Sequence, residues 1–150
     1  MHFQLPNFPC VFEIPDEWLD EAGIRDFSAE TAFYRSTADA TLVRIDEIEP
    51  PMRRRAAPND HCGFDRGRLV SVLKGILAGA EIEAVPLVLL PELDDRLVRT
   101  PYRYRTYSYR IRDGFHRFYA SVAAGFEYLP ARITTVPVLV QDCQDLGWCE

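Results

Sequence analysis

The sequence predicts one α/β domain in which helices pack against a mixed β-sheet, and two observations carry this prediction. The chain has 150 residues, of which 47% are hydrophobic and 12% aromatic, as in a single globular domain. From residue 41 onward, the apolar patterns follow the order strand, helix, strand, strand, helix, strand. That order favours a sheet with both parallel and antiparallel neighbours.

The first elements are expected in the amino-terminal region. A strand is predicted at residues 11–14, followed by one or two helical turns that Asp16 caps and Gly23 ends. One face of these turns holds Trp18, Leu19 and Ala22. The simplest interpretation of Trp18 is therefore a core residue.

The next elements run from residue 41 to residue 90. A strand at residues 41–45 is closed by two prolines, and residues 52–63 are expected to form a loop. The best helix of the chain follows Asp65, its candidate cap. Its apolar face holds Leu69, Val72, Leu73, Ile76, Leu77 and Ala80. Residues 84–90 form a β-rich run that predicts a buried strand.

The last elements are a strand, a helix and a strand. Residues 102–111 alternate between two faces, which is typical of a strand. A helix is expected to begin near Asp113 and Gly114 and to end at Gly125. One side of that helix holds Phe115, Phe118, Tyr119 and Val122. Residues 133–140 supply the last predicted strand.

Charge is distributed unevenly along the chain. Residues 1–40 are expected to form an acidic extension packed on a domain at residues 41–150. Residues 1–49 hold eleven acidic residues and three arginines, whereas residues 96–117 hold seven arginines and one aspartate. With a single lysine in the chain, nearly all positive charge is guanidinium, which suits bidentate contact with phosphate or carboxylate. Charged faces in contact with solvent explain many of these arginines equally well.

Composition argues against two classes of function. The net charge of −6 disfavours general nucleic-acid binding, because non-specific affinity for phosphate backbones needs a basic surface. The longest apolar run, residues 87–90, is too short to cross a bilayer, and the amino terminus lacks a signal-peptide pattern. We therefore expect a cytoplasmic protein with no membrane partner.

The four cysteines do not predict a metal site or a disulfide framework, because none of them shows the spacing of a zinc site. Reduced thiols are expected, with Cys143 and Cys149 as the one pair placed to close a loop. The adjacent His61 and Cys62 are interpreted as a loop histidine and a buried thiol, since neighbouring side chains rarely point together.

The segment with the strongest chemical pattern runs from residue 112 to residue 120. It places Gly114 at a strand-to-helix junction, where a ligand can approach the backbone and the first helical N–H groups are free. His116 and Arg117 add side-chain donors on the first turn, and the helix dipole favours an anion there. Asp113 is a candidate cap, or a ligand for Mg²⁺ in a nucleotide complex. An ordinary capped helix with two surface cations is the alternative.

This segment resembles the signature of the ParB and sulfiredoxin superfamily, whose members carry D-G-x-H-R or G-x-R-R-x-x-A at such a junction. The matching residues are Asp113, Gly114, His116, Arg117 and Ala120. The order of elements is also similar to the family between residues 40 and 140, which leaves the acidic extension outside. The resemblance implies a ParB/sulfiredoxin-like fold of the kind found in stand-alone ParB-like domains, some of which are named ParB-like nucleases.

The resemblance implies a nucleotide or another phosphorylated small molecule at the Gly114 helix. The residues expected to hold it are Asp113, Gly114, Phe115, His116 and Arg117. No tightly bound cofactor is expected, and ATP or CTP with Mg²⁺ are the candidate ligands. Sulfiredoxin activity is not expected, because the family's nucleophilic cysteine falls where Phe115 stands. Nuclease activity lacks support, because no cluster of metal-binding carboxylates lies next to the motif in the sequence.

Two hypotheses about function follow. The first is a nucleotide-dependent phosphotransferase or hydrolase, with His116 in the site and Glu49, or less well Glu47, as general base. The second is a non-catalytic binding or regulatory module that recognises an acidic partner or nucleic acid and self-associates as a homodimer. Accessory basic residues are expected at Arg53, Arg54, Arg55 and Arg105. The interleaved tyrosines at 102, 104, 107 and 109 suggest either a stacking platform for bases or a strand with one packed face.

Overall fold

The computed structural model describes residues 1–8, 10–52, 63–90 and 107–135. In these ranges the chain forms seven strands and three α-helices. In chain order they are β1 His2–Gln4, β2 Val11–Glu13, α1 Asp16–Ala22, β3 Thr41–Arg44, β4 Ile48–Glu49, α2 Arg66–Ala78, β5 Val85–Leu89, β6 Tyr109–Ile111, α3 Phe115–Ala124 and β7 Tyr128–Thr134. A single 3₁₀ turn, Ile45–Glu47, joins β3 to β4.

Five strands form one mixed sheet in the order β3-β7-β5-β6-β4. The central strand β5 runs parallel to β7, with Val85 opposite Ala131, and antiparallel to β6, with Leu87 opposite Ile111. The outer strand β3 is antiparallel to β7, and β4 is parallel to β6. β1 and β2 form a separate antiparallel pair. The predicted α/β (α+β) class with a mixed sheet is confirmed.

Helix α2 forms where its apolar periodicity predicts. Asp65 caps it, since its Oδ1 accepts a hydrogen bond of 2.9 Å from the Arg68 N–H, and Gly79 ends it in the left-handed conformation. The buried face holds Leu69, Val70, Leu73 and Ile76. Leu77 and Ala80 of the predicted face do not belong to the buried one, because Leu77 is exposed and Ala80 lies beyond the end of the helix at Gly79.

Helix α1 begins differently from the prediction. Asp16 is its first residue and not its cap, and the capping position belongs to Pro15, which makes no side-chain cap. The Asp16 carboxylate instead accepts from the Met1 ammonium at 2.9 Å and pairs with Arg25 at 3.3 Å. Gly23 ends the helix as predicted, and Trp18 is buried in the core.

Several strand boundaries differ from the prediction, and the differences in β3 and β7 have a physical reason. β3 ends at Arg44, because Ile45 begins the 3₁₀ turn that carries Glu47. β7 begins at Tyr128, five residues before the predicted start at residue 133. Pro130 interrupts the strand pattern there, since proline has no N–H to give to a ladder, yet it is almost fully buried between two strands. Strand β1 was not predicted, and residues 102–106 and 136–140 lie outside the described ranges.

The core includes side chains from the first 40 residues together with those of the sheet and helices. Phe12 contacts Phe64 and Tyr119 through ring centroids at 6.1 and 4.9 Å. The Glu127 and Tyr128 N–H groups both donate to the Ala32 carbonyl at 3.0 Å. Among the described residues, no helix combines the length and apolar character needed to span a membrane.

Candidate anion-binding cleft

The start of α3 is built on a glycine that no other residue replaces easily. Gly114 occupies the capping position with φ +109°, a conformation that side chains rarely adopt. A Cβ on Gly114 would lie 2.9 Å from Cγ1 of Val85 in the neighbouring strand. The junction between β6 and α3 therefore needs glycine for backbone conformation and for space.

The first turn of α3 offers main-chain N–H groups. Its first main-chain hydrogen bond runs from the Phe118 N–H to the Gly114 carbonyl at 2.9 Å. The amides of Phe115, His116 and Arg117 precede that bond, as in any helical first turn. Asp113 does not cap the helix. Its Oδ1 accepts from the N–H of the capping residue Gly114 at 2.9 Å and not from an N–H inside the first helical turn.

The first turns of α2 and α3 border one open cleft of about 700 Å³. From the α2 side it is lined by Gly63, Gly67, Arg68, Ser71 and Val72. From the α3 side it is lined by Asp113, Gly114, Phe115, His116 and Arg117. The structure therefore brings together all five residues that the motif predicts for phosphate binding. It adds a second helix start that the motif does not contain.

His116 joins the two helix starts. Its Nε2 accepts a hydrogen bond of 2.9 Å from the Asp65 N–H, so Nε2 carries no proton and the neutral ring holds its proton on Nδ1. Burial lowers the pKa of His116; the Asp65 carboxylate opposes that shift, and the Arg68 guanidinium adds to it. His116, predicted as a donor to an anion, therefore keeps a neutral ring at neutral pH and already uses its Nε2 atom to accept from Asp65.

Arg117 is held by the main chain of the segment before β5. Its Nη1 donates to the Glu83 carbonyl at 2.8 Å and to the Ala84 carbonyl at 3.2 Å. Its Nη2 and Nε lie against Gly114, 3.2 and 3.3 Å from where a Cβ would stand. Part of the guanidinium is thus committed to anchoring α3 on the sheet, a role that the motif did not predict.

Arg68 and Ser71 are cleft residues that sequence reasoning missed. Both are exposed on the first turns of α2, and Arg68 forms no ion pair within the described ranges. The Asp65 cap was visible in the sequence and marked this helix start. The side chains of α2 that face Gly114 are determined by tertiary packing. The sequence around them therefore contains no local signal that identifies them.

Phe115 supplies an apolar wall of the cleft. Its ring lies 5.5 Å from the ring of Phe64 and 4.9 Å from that of Tyr119, measured between centroids. The half-buried ring also borders the cleft. This wall gives the cleft an aromatic side next to its polar one.

The two candidate glutamates lie away from the cleft lining. Glu49 is on β4 opposite Arg110, with its Oε2 3.4 Å from the Arg110 Nη2, and both side chains are about a quarter to a third exposed. Glu47 is exposed in the 3₁₀ turn, where its carbonyl accepts from the Ser108 N–H at 2.9 Å. Neither glutamate is among the described residues that line the cleft.

Several predicted site residues fall outside the described ranges. These are Arg53, Arg54, Arg55 and Arg105, with His61, Cys62, Tyr102 and Tyr104. Of the predicted tyrosine platform, Tyr107 is buried and its hydroxyl donates to the Asn7 carbonyl at 2.7 Å, while Tyr109 packs against the core. These two tyrosines are packed and not presented as a stacking surface.

The cleft combines hydrogen-bond donors of the kinds that suit an anion. Among the described residues, no group of three or more His, Cys, Asp or Glu side chains is placed to hold a metal ion.

Comparison with protein-family models, curated protein sequences and solved structures finds no match. The helix starts, Arg68 and the Ser71 hydroxyl offer hydrogen-bond donors to an anion, and Asp113 limits the positive charge at one end.

Proposed function

We propose that this protein binds a nucleotide or another phosphorylated small molecule in the cleft between α2 and α3. The observation that carries the proposal is the convergence of two helix starts on one cleft that also holds Arg68. Helix N–H groups and guanidinium are the donors that phosphate oxygens find most often in proteins. The resemblance of residues 113–120 to the ParB and sulfiredoxin signature supports the same ligand class and fold.

We assign the donors as follows. The amides at the start of α3 face one side of the phosphate, and Arg68 approaches from α2. Arg117 holds α3 in place through the Glu83 and Ala84 carbonyls, and Phe115 covers the apolar part of the ligand. His116 sets the distance between the two helices through its bond to Asp65.

Between the two hypotheses, we favour binding without turnover. A general base must lie within hydrogen-bond reach of the proton that it removes, and neither Glu47 nor Glu49 lines the cleft. The Glu49 carboxylate already has a partner in Arg110. A binding or regulatory module therefore fits the cleft better than a phosphotransferase or hydrolase.

The proposal is tested by calorimetric titration with ATP, CTP and inorganic phosphate, with and without Mg²⁺. We expect Arg68→Gln to weaken binding about tenfold or more, because a hydrogen bond to a charged group contributes roughly 1.5–3 kcal/mol. Arg44→Gln is the matched control, since it removes the same charge from β3, where Arg44 pairs with Asp46. No binding of any of these anions by the wild-type protein would contradict the proposal.

Turnover decides between the hypotheses. ATP and CTP hydrolysis is measured for the wild type, Glu47→Gln and Glu49→Gln under conditions where binding is saturated. Binding without turnover is the expected result. Turnover that disappears with one of the two substitutions would establish the enzyme and refute the binding module.

A further inference from the structure

A second groove adjoins the cleft across the first turns of α2. It has a volume of about 530 Å³ and is lined by Glu21, Arg66, Gly67, Val70, Ser71 and Lys74. Gly67 and Ser71 line both the cleft and the groove. The two depressions therefore adjoin on the surface of α2, and the two described residues that they share have small side chains.

Neither the backbone conformation of Gly67 nor the described atoms around it require glycine. Its backbone is helical, and among the described residues a Cβ there would meet Asp65 Oδ1 alone, at 3.5 Å, an ordinary contact. Glycine in a helix lowers its stability relative to alanine. Gly114, by contrast, needs glycine for both conformation and space. The missing side chain at Gly67 keeps the ridge between cleft and groove low.

The groove carries a positive charge that the described residues leave unpaired. Glu21 is paired with Arg66 at 3.0 Å, whereas Lys74 is exposed and forms no ion pair within the described ranges. Arg68, on the cleft side, is likewise exposed and forms no ion pair within the described ranges. Lys74 lies six positions after Arg68 on the same helix, which corresponds to about 9 Å along the helix axis.

We propose that the ligand carries two anionic groups and lies across Gly67. One group occupies the cleft at Arg68 and the start of α3, and the second occupies the groove at Lys74. This inference rests on the proposed function and adds the ligand class to it: an extended molecule with a second phosphate or carboxylate at a distance from the first.

The test compares inorganic phosphate, which fits one depression, with linear tripolyphosphate, which extends toward the second. Dissociation constants are measured by calorimetry for the wild type, Lys74→Gln and the charge-matched control Arg44→Gln. We expect Lys74→Gln to weaken tripolyphosphate binding about tenfold and to leave phosphate binding within about twofold. Arg44→Gln should leave the ratio of the two constants unchanged.

Gly67→Ala gives a second readout that a structural role would not produce. Alanine should keep the melting temperature equal or raise it by up to about 3 °C, while weakening tripolyphosphate binding more than phosphate binding. The inference would be overturned if the ratio of the phosphate and tripolyphosphate dissociation constants stayed at its wild-type value in both Lys74→Gln and Gly67→Ala. It would also be overturned if this ratio changed equally in Lys74→Gln and Arg44→Gln. In either case, intact phosphate binding by the wild type would leave the proposed function standing.

Discussion

The Nε2 atom of His116 accepts a hydrogen bond from the main-chain N–H of Asp65 at 2.9 Å, which ties the first turn of α3 to the cap of α2. The same Asp65 uses its side chain to cap α2 through the Arg68 N–H. Asp65 thus donates the hydrogen bond to His116 through its main chain and accepts the capping bond of the helix that presents Arg68 through its side chain. The width of the cleft depends on this pair.

Stability should fall in mild acid because of His116. Burial lowers its pKa in the folded chain, so below the ordinary value, about 6.5, the unfolded chain takes up a proton that the folded chain does not. The free energy of unfolding therefore decreases as the pH falls, until the pH passes the folded-state pKa. Urea titrations at about pH 7.5 and pH 5.5 measure the decrease, which should be smaller in His116→Gln. Equal decreases in both proteins would contradict the assignment.

Replacing Gly114 should be much more costly than replacing another glycine with positive φ. Gly114→Ala adds a Cβ 2.9 Å from Val85 Cγ1 and strains the backbone, so we expect a loss of about 2–4 kcal/mol. Gly79→Ala is the control, because Gly79 has φ +68° but no atom within 4 Å of the added Cβ. It should lose about 1–2 kcal/mol. Similar losses in the two variants, measured by urea unfolding, would show that the Val85 contact relaxes.

Arg117→Ala should lower stability even without a ligand. Two carbonyls, Glu83 and Ala84, lose their guanidinium donor, and the expected cost is about 1–2 kcal/mol because one of the two bonds is exposed. Two quantities are measured, the unfolding midpoint of the apo protein and its affinity for phosphate. Unchanged apo stability with a large loss of affinity would restore Arg117 to the purely ligand-binding role that the motif predicts.

Glu49→Gln should affect stability and not ligand binding. The substitution leaves the partly buried Arg110 without its carboxylate, and a pair of this exposure contributes about 0.5–1 kcal/mol. Because Glu49 does not line the cleft, the phosphate affinity should stay within about twofold. A loss of affinity with unchanged stability would place Glu49 in the site after all.

The sequence predicted those elements that depend on short patterns of neighbouring residues. Helix α2 and its Asp65 cap follow from periodicity and one capping residue, and Gly114 follows from its place before an apolar helix. The boundaries of β7 did not follow, because Pro130 is unfavourable in isolation and is accommodated only by its neighbours β3 and β5.

The site was predictable on one side only. The motif at residues 113–117 named the α3 side of the cleft, since those residues are contiguous in sequence. Arg68, Ser71 and Gly67 join them through the packing of α2 beside α3, which no window of the sequence contains. The anchoring role of Arg117 likewise depends on two carbonyls more than thirty residues away.

The position of β7 between β3 and β5 has a consequence for synthesis on the ribosome. β3 is complete by residue 44, but its hydrogen-bonding partner begins only at Tyr128. β3 therefore waits for more than eighty further residues to be translated, and during that interval its backbone edge and the apolar side chain of Val43 lack their native cover. The sheet can therefore close only after β7 has been translated, and until then the nascent chain carries an unpaired strand edge that favours aggregation.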